Sequence, residues 1–476
     1  MIKSKLYFFT LALLTLFVAG CSKDDESGNQ NEFVVAFEKQ SLSFSSEENA
    51  LDINLVFSNS APQNGSLQIV FQPHNLIYGT DFTTVPPANN GIIELSVEAG
   101  TLGTSFTFNK LTPNPTGSEP EKTVEFSFGK INLPNGTTQG NTNLLISFSE
   151  SASLGGSFAP NVGGPNEPNQ VYVDLSAQSE TVIRRDVWDL GFYSGEEFRV
   201  KLNSSLYMMA TELQTTNIDT VTANDVEDLQ SQMAFTVAGS NEFVDHPSGD
   251  INQTVIAEIS STVAENKVYL VKMGNEIGTE TSTAGSVAVA GEERGWKKIR
   301  IVQDGNGYLL QYADLNATTH QEISISKDGS FNFTFFSFET KSVVPVEPIK
   351  ENWDLNFTVF TEVEELNNST ELTAYGYSDY VKTNVLVKTK AYRVSTEDFS
   401  YENFSLNDVA DENFEINQQT VGSSWRNVFP PDRFLIDNIF YIIKDSEGNT
   451  YKLKFTALMN ENGVRGYPKF EYDLLK

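Results

Sequence analysis

Apolar and polar residues alternate along much of the chain. The segments Leu51–Leu55, Ile93–Val97 and Phe106–Phe108 each place apolar side chains at every second position. Successive side chains of a β-strand point to opposite faces, so this period predicts strands with one buried face. Phe and Tyr, which favour strands, contribute 34 and 17 residues. We therefore predict an all-β protein.

Three groups of Asp, Gly and Asn residues separate pairs of alternating segments. They lie at Asp304–Gly307, Asp328–Gly329 and Asp445–Gly448. These residue types tolerate the backbone of tight turns, so each group predicts a β-hairpin. None has the full spacing of acidic ligands in a calcium-binding loop, which favours turn chemistry over a metal site.

Helix is predicted in one place. Between Thr222 and Ala234, the apolar residues Val226, Leu229 and Met233 share one helical face behind polar capping residues. We expect a short helix that covers a sheet.

The order of these patterns divides the chain into two modules. Residues 151–170 are rich in Gly, Pro, Asn and Ser and predict a linker. Residues 34–150 before it have the size of an immunoglobulin-like sandwich. Residues 171–476 after it form a larger β region.

The N-terminus carries a segment for export. Two Lys residues precede an apolar stretch that is too short to span a bilayer, and the stretch ends in Val18-Ala-Gly-Cys21. This ending resembles the lipobox of bacterial lipoproteins, which implies removal of residues 1–20 and lipidation of Cys21. Residues 21–33 are polar and predict a flexible tether.

Cysteine and charge restrict the chemistry. Cys21 is the single cysteine, so a lipidated Cys21 leaves no thiol for disulfides, zinc sites or nucleophilic catalysis. The formal net charge is −31, which disfavours nucleic acid as a partner. Residues Lys23–Glu26 resemble the signal that sends some lipoproteins to the outer face of the outer membrane; an ordinary acidic linker is the alternative.

The first module resembles Calx-beta domains. The similar residues are Tyr78–Phe82, Ala99-Gly100, and Glu121 with Glu125 and Phe126. The resemblance implies an immunoglobulin-like sandwich, and that family often binds calcium. Here Leu111–Pro115 replaces the expected Asp pair, so calcium is not predicted and a structural spacer is the favoured role.

A five-residue pattern occurs twice in the second module. Trp188-Asp-Leu-Gly-Phe192 recurs as Trp353-Asp-Leu-Asn-Phe357. In a strand, Trp, Leu and Phe share one face and Asp lies on the other. The repeat predicts two related halves.

These motifs carry a resemblance to the HmuY-like family of surface lipoproteins over residues 171–476. The similar segments are the two Trp-Asp-Leu strands, Phe198–Asn203, Gly295–Ile299, Tyr441–Phe455 and Arg465–Tyr472. The resemblance implies an all-β fold on the outer membrane. It further implies binding of haem or a related porphyrin, and cooperation with a TonB-dependent outer-membrane receptor.

A haem site needs an apolar slot and axial ligands. The best-known family members use two His residues, and none of His74, His246 and His320 matches those positions. Met and Tyr are the alternative ligands, although Met more often fills a core and Tyr-Gly-Tyr more often marks a strand bend. The candidate haem ligands are Met208, Met209, Tyr193, Tyr375 and Tyr377.

No motif of an enzyme is present. The chain lacks a His-Glu-x-x-His helix, a nucleophile elbow, a phosphate loop and a dinucleotide fingerprint. Its 63 acidic residues allow a paired-carboxylate site without indicating one. We therefore expect a binding protein. Adhesion or glycan binding is the alternative to haem, since aromatic side chains also stack on sugars, and loss of any ligand is a third possibility.

Overall fold

The computed structural model describes residues 33–44, 49–115, 122–148, 152–365, 370–428 and 434–476. Cys21, the signal segment 1–20 and Lys23–Glu26 lie outside these residues, as does the predicted tether except for Phe33. No helix in the described ranges is long and apolar enough to cross a membrane.

The N-terminal module contains ten described strands. They are β1 (Phe33–Phe37), β2 (Ser41–Ser43), β3 (Ala50–Phe57), β4 (Gly65–His74), β5 (Phe82–Val85), β6 (Ile92–Val97), β7 (Gly103–Lys110), β8 (Thr123–Asn132), β9 (Gly136–Thr138) and β10 (Asn143–Ser147). One sheet has the order β5-β7-β3-β1-β9 and the other β2-β10-β8-β4-β6.

The core of this module lies between the two sheets and is rich in Phe. Phe82 and Phe108 stack with ring centroids 4.9 Å apart, and Phe126 packs edge-on against Phe108 at 6.0 Å. On β3, Ile53 and Leu55 are buried while Asp52 and Asn54 are exposed, as the alternation predicts. The predicted sandwich is confirmed.

The second module continues with twenty-two described strands. The first eleven are β11 (Gly155–Phe158), β12 (Asn169–Asp174), β13 (Ser179–Arg184), β14 (Leu190–Tyr193), β15 (Val200–Leu202), β16 (Met209–Glu212), β17 (Val268–Lys272), β18 (Asn275–Ile277), β19 (Ala290–Glu293), β20 (Trp296–Asp304) and β21 (Gly307–Asp314). The others are β22 (Gln321–Ile325), β23 (Phe333–Ser337), β24 (Ser342–Val344), β25 (Leu355–Glu365), β26 (Leu372–Thr383), β27 (Lys390–Ser395), β28 (Arg426–Asn427), β29 (Phe434–Leu435), β30 (Ile439–Lys444), β31 (Thr450–Met459) and β32 (Arg465–Leu474).

Four larger sheets organise these strands. Their orders are β11-β32-β31-β30-β27, β13-β12-β25-β26, β15-β14-β23-β24 and β16-β17-β20-β21-β22; β18-β19 and β28-β29 form two further pairs. The all-β prediction is confirmed.

Helices in the described residues are short. The predicted helix over Thr222–Ala234 is present only as α1 (Glu227–Gln232), preceded by a 3₁₀ turn, Ala223–Asp225, that a Thr222/Asp225 capping box closes. Further 3₁₀ helices lie at Ser204–Leu206, Ile218–Thr220, Ser240–Phe243, Ile251–Gln253, Val263–Glu265, Val385–Val387, Leu406–Asp408 and Asp411–Asn413.

Two predicted hairpins are confirmed and one is wrong. β20 pairs with β21 across Asp304–Gly307, and β30 pairs with β31 across Asp445–Gly448. The segments on either side of Asp328-Gly329 do not pair with each other, because β22 pairs with β21 and β23 pairs with β14. The turn residues there take the chain from one sheet into another.

The described part of the predicted linker, residues 152–170, contains a strand and contacts both modules. Within it, β11 pairs antiparallel with the last strand, β32. The adjacent Leu154 N–H donates to Ser41 Oγ at 2.8 Å, and Lys39 Nζ donates to Gln178 O at 3.0 Å. The two modules are therefore joined by direct contacts as well as by the chain.

Candidate functional site

The two Trp-Asp-Leu motifs begin equivalent strands, β14 and β25. Leu190 pairs with Leu202 on β15, and Leu355 pairs with Thr383 on β26. On the other side, β14 pairs with β23 and β25 pairs with β12. The same three-stranded unit therefore occurs twice, around the two copies of the motif.

A buried Asn closes each unit in the same way. Asn203 Nδ2 donates to the carbonyls of Arg185 at 2.7 Å and Trp188 at 2.8 Å. Asn384 Nδ2 donates to the carbonyls of Lys350 at 2.8 Å and Trp353 at 3.0 Å. Hydrogen bonds of this kind each contribute about 1 kcal/mol, and they fix the backbone that carries each Trp.

The Asp of each motif is also buried, on the face opposite Trp. Asp189 Oδ2 accepts from the Phe338 N–H at 2.6 Å, and Asp354 Oδ2 accepts from the Leu175 N–H at 2.9 Å. Among the described residues, a cationic partner is found for Asp189, whose Oδ1 lies 2.8 Å from Arg294 Nη2, and none for Asp354. Burial raises the pKa of Asp354 well above its ordinary value, and the nearby Asp174 and Asp445 raise it further.

The two units face each other across a cleft, here called the tryptophan cleft. Its aromatic lining consists of Trp188, Trp353, Phe333 and Phe360. The cleft encloses about 90 Å³ and opens to solvent. It is thus an aromatic slot built from equivalent positions of the two halves.

Two lysines enter the tryptophan cleft from equivalent strand positions. Lys201 on β15 and Lys382 on β26 each lie two residues before the closing Asn. Lys201 Nζ lies 3.6 Å from the centroid of the Phe333 ring, and Lys382 Nζ lies 5.5 Å from that of Phe360. Such cation–π contacts stabilise a charge that has left water.

The environment lowers the pKa of both lysines. Burial is the main cause, and it lowers the pKa of Lys201 to about 8 and that of Lys382 to about 7. Repulsion by Lys201 lowers the pKa of Lys382 further, while Glu347 acts in the opposite direction on both groups.

Two carboxylates lie near the lysines but bond to the main chain. Glu347 Oε1 accepts from the Phe333 N–H at 2.8 Å. Asp245, which lines the cleft, accepts from the N–H groups of Leu202 at 2.7 Å and Val255 at 2.9 Å. Burial raises the pKa of Glu347 to about 7 and that of Asp245 to about 6.

His246 also lines the tryptophan cleft, and its side chain is exposed to solvent. Its Nδ1 lies 2.9 Å from Ser248 Oγ, and no described residue hydrogen-bonds to its Nε2. The second imidazole nitrogen is therefore available to a ligand at the cleft.

The model of one protein family, described as HmuY protein, matches residues 166–324 and 330–472. The chain belongs to the HmuY family. This family is associated with haem binding, and its members are surface lipoproteins that bind ligands rather than catalyse reactions. The match includes both halves and every residue of the tryptophan cleft.

Solved structures give weaker likenesses than the HmuY match. The apo-form Calx CBD1 domain is 12% identical and covers 25% of this chain and 98% of its own, with a TM-score of 0.21. A putative carbohydrate binding protein from Bacteroides ovatus is 10% identical and covers 74% of this chain and 97% of its own, with a TM-score of 0.16. At these TM-scores neither supports a conclusion about this chain. No curated protein matches it.

None of the haem ligands predicted from the sequence lines the tryptophan cleft. Met208 and Met209 are almost fully buried and belong to two different hydrophobic clusters; Met209 begins β16 and Met208 directly precedes it. Tyr193 packs against Phe333 with ring centroids 5.7 Å apart. Tyr375 and Tyr377 lie together on β26, their centroids 5.4 Å apart, and Tyr377 Oη donates to Glu364 at 2.7 Å. Their role as ligands stays a prediction.

Sequence reasoning did not propose the lysine pair as a site, and it matched His246 to no ligand position of the family. A signal for the lysines was present: Lys201-Leu-Asn203 and Lys382-Thr-Asn384 share a Lys-x-Asn pattern, and each follows a Trp-Asp-Leu strand. The Asn residues of the two copies lie 15 and 31 residues after their Trp, so the spacing differs between the two halves. His246 has no comparable signal, because only the fold brings its loop to the cleft.

Proposed function

We propose that this protein binds haem as cargo in the tryptophan cleft. One observation supports the proposal most directly. Trp188 and Trp353, one from each copy of the Trp-Asp-Leu motif, both line the same cleft, and the HmuY family match includes both. Flat aromatic walls suit the faces of a porphyrin, and few polar groups are needed to orient it.

The volume of the tryptophan cleft limits how much of a porphyrin can enter it. A drug-sized ligand needs roughly 300–1,000 Å³, whereas the cleft encloses about 90 Å³. A porphyrin therefore inserts one edge and leaves the remainder at the mouth, unless the segment from Asp245 to Thr254 moves outward. Much of that segment lines the cleft, and it contains His246.

His246 is the axial ligand that we propose for the iron. Imidazole is a common ligand of haem iron, and the nitrogen that binds is set by the hydrogen bond of the other nitrogen. Nδ1 accepts from the Ser248 N–H at 3.3 Å and lies 2.9 Å from Ser248 Oγ. Nε2 binds the metal in the tautomer in which Nδ1 carries the proton and donates it to Ser248 Oγ. The proposal needs one His from the chain, in place of the pair used by the best-known relatives.

A haemin titration followed by absorbance tests this function. We expect a saturable shift of the Soret band with the wild-type protein, and at least about tenfold weaker binding with His246→Ala, because an axial bond is lost. His320→Ala is the matched control: His320 lies outside the cleft, with Nδ1 2.9 Å from Asp219, and should not change the titration. The absence of any Soret shift in the wild type would refute haem binding.

We propose further that lipidated Cys21 holds the protein at the outer face of the outer membrane. There it would pass haem to a TonB-dependent receptor, as the family resemblance implies. The acidic charge of the chain suits a domain that stays off an anionic membrane surface. Cys21→Ala should release the protein from membranes in cell fractionation, and unchanged membrane association would contradict the anchor.

A glycan is the second candidate ligand. The small enclosed volume favours it, because a single sugar ring or its acidic substituent fills less space than a porphyrin. Tryptophan faces also stack on sugars. Saturable binding to a glycan array by a protein that leaves the Soret band unchanged would support this function in place of haem.

A further inference from the structure

Four hydrogen-bond donors without partners surround the tryptophan cleft. The indole N–H groups of Trp188 and Trp353 are buried and find no acceptor among the described residues. The ammonium groups of Lys201 and Lys382 form no hydrogen bond or ion pair with any described residue. Folded proteins satisfy nearly all of their buried polar groups, so the two indole N–H groups require an explanation. The two lysine side chains are partly exposed, so a ligand in the cleft can reach them.

The unsatisfied donors occupy equivalent positions in the two halves. Each half supplies one Trp and one Lys, and the Asn bonds described above hold both units in the same geometry. Glu347 and Asp245 accept main-chain N–H groups and form no direct ion pair with either described lysine. The two ammonium groups repel each other, so a carboxylate from outside the chain that contacts both would stabilise them.

We propose that Lys201 and Lys382 bind a carboxylate of the ligand, so that the cleft recognises the acid group of an aromatic or ring-shaped acid whether or not the ligand carries a metal. This proposal rests on the tryptophan cleft as the ligand site, and it names the part of the ligand that enters. A carboxylate fits the enclosed volume of about 90 Å³, and it accepts hydrogen bonds from several donors at once. A porphyrin would then enter with a propionate edge first.

The first test compares three porphyrins: haemin, metal-free protoporphyrin IX and protoporphyrin IX dimethyl ester. We expect haemin to bind more tightly than metal-free protoporphyrin IX by the contribution of the His246 bond, and the diester to bind at least about tenfold more weakly than the metal-free diacid because its charge is lost. Lys201→Gln/Lys382→Gln should weaken both diacids by a similar factor. Lys390→Gln is the matched control, since Lys390 Nζ also lies over an aromatic ring, Phe414 at 4.7 Å, but outside the cleft.

A second probe separates this proposal from haem binding. Benzoate, an aromatic acid without metal or porphyrin, is titrated against the fluorescence of the tryptophans. A saturable change that the double lysine variant abolishes and Lys390→Gln retains supports the lysine site, even if haemin does not bind. If haemin binds while the diester binds as tightly as the metal-free diacid and the lysine variant behaves as wild type, the lysine site is overturned and haem binding stands. If benzoate and all three porphyrins fail to bind, both are overturned.

Discussion

Arg465→Met is expected to lower the free energy of unfolding by about 3–5 kcal/mol. Arg465 Nε donates to Asp379 Oδ2 at 2.5 Å, and its Nη2 donates to Ser378 Oγ at 2.8 Å. The Asp379 side chain is fully buried. Removing one partner of a buried ion pair leaves the other charge without compensation, which costs far more than the pair itself contributes.

The surroundings of Asp379 make this loss larger. Its backbone N–H donates to the buried carboxylate of Glu167 at 3.0 Å, and burial together with Asp379 raises the pKa of Glu167 well above its ordinary value. Arg426 is the next cation, with its Nε 3.9 Å from Asp379 Oδ2. Without Arg465, the direct ion-pair partner of Asp379 would be Arg426, at the longer distance.

Urea unfolding of the wild type and the variant measures this effect. Lys454→Met is the control, because Lys454 lies 3.9 Å from Glu471 in a partly exposed pair, and such pairs contribute about 0–1 kcal/mol. If Arg465→Met changed the free energy of unfolding by no more than Lys454→Met does, the buried network would not contribute as described.

The second large effect concerns pH. Asp354→Asn is expected to increase stability at neutral pH and to flatten the dependence of stability on pH. Asp354 has no described cation partner, and burial raises its pKa well above the ordinary value near 4. The folded state therefore binds a proton that the unfolded state has lost. Its contribution to stability is complete below the unfolded pKa and decreases as the pH rises toward the folded pKa.

The magnitude follows from proton linkage. One proton of difference gives a slope of roughly 1 kcal/mol per pH unit within that window. An Asn at position 354 can still accept from the Leu175 N–H, and it carries no charge to bury. The variant should lose this slope, which unfolding curves at a series of pH values between about 4 and 7 would measure.

Asp189→Asn is the matched control, because the equivalent residue is paired. Asp189 compensates Arg294 at 2.8 Å, so its replacement leaves a cation in a mostly buried site. We expect this variant to be less stable at neutral pH. Similar effects of the two substitutions would contradict the distinction between a paired and an unpaired Asp.

The sequence predicted the strands well because their signal is local. The alternation at Ile53 and Leu55, and the turn at Asp445–Gly448, both act within a few residues, and both are found in the structure. The Asp328-Gly329 turn shows the limit of this reasoning. An Asp-Gly turn can connect two strands of a hairpin or lead the chain from one sheet to another. Here β22 pairs with β21 and β23 pairs with β14, and these partners are distant from the turn in sequence.

The site was less predictable because it depends on which strands meet. The repeated Trp-Asp-Leu motif predicted two related strands, and their tryptophans line the cleft. The pattern alone does not show that the two strands lie on opposite sides of one cleft. Met208 and Met209 drew attention as soft ligands, and the fold places them in hydrophobic clusters. The Lys-x-Asn pattern at Lys201 and Lys382 marks two equivalent strand positions, but it does not say that the two lysines meet at one cleft.

The most direct test of the central claim is a crystal structure of the protein with haemin, in which anomalous scattering locates the iron. The account predicts that the iron lies at the mouth of the tryptophan cleft, bound to His246 Nε2. It further predicts that a propionate edge is inserted between Trp188 and Trp353 toward the lysines. Iron at any other position, such as beside Tyr375 and Tyr377, would contradict the account.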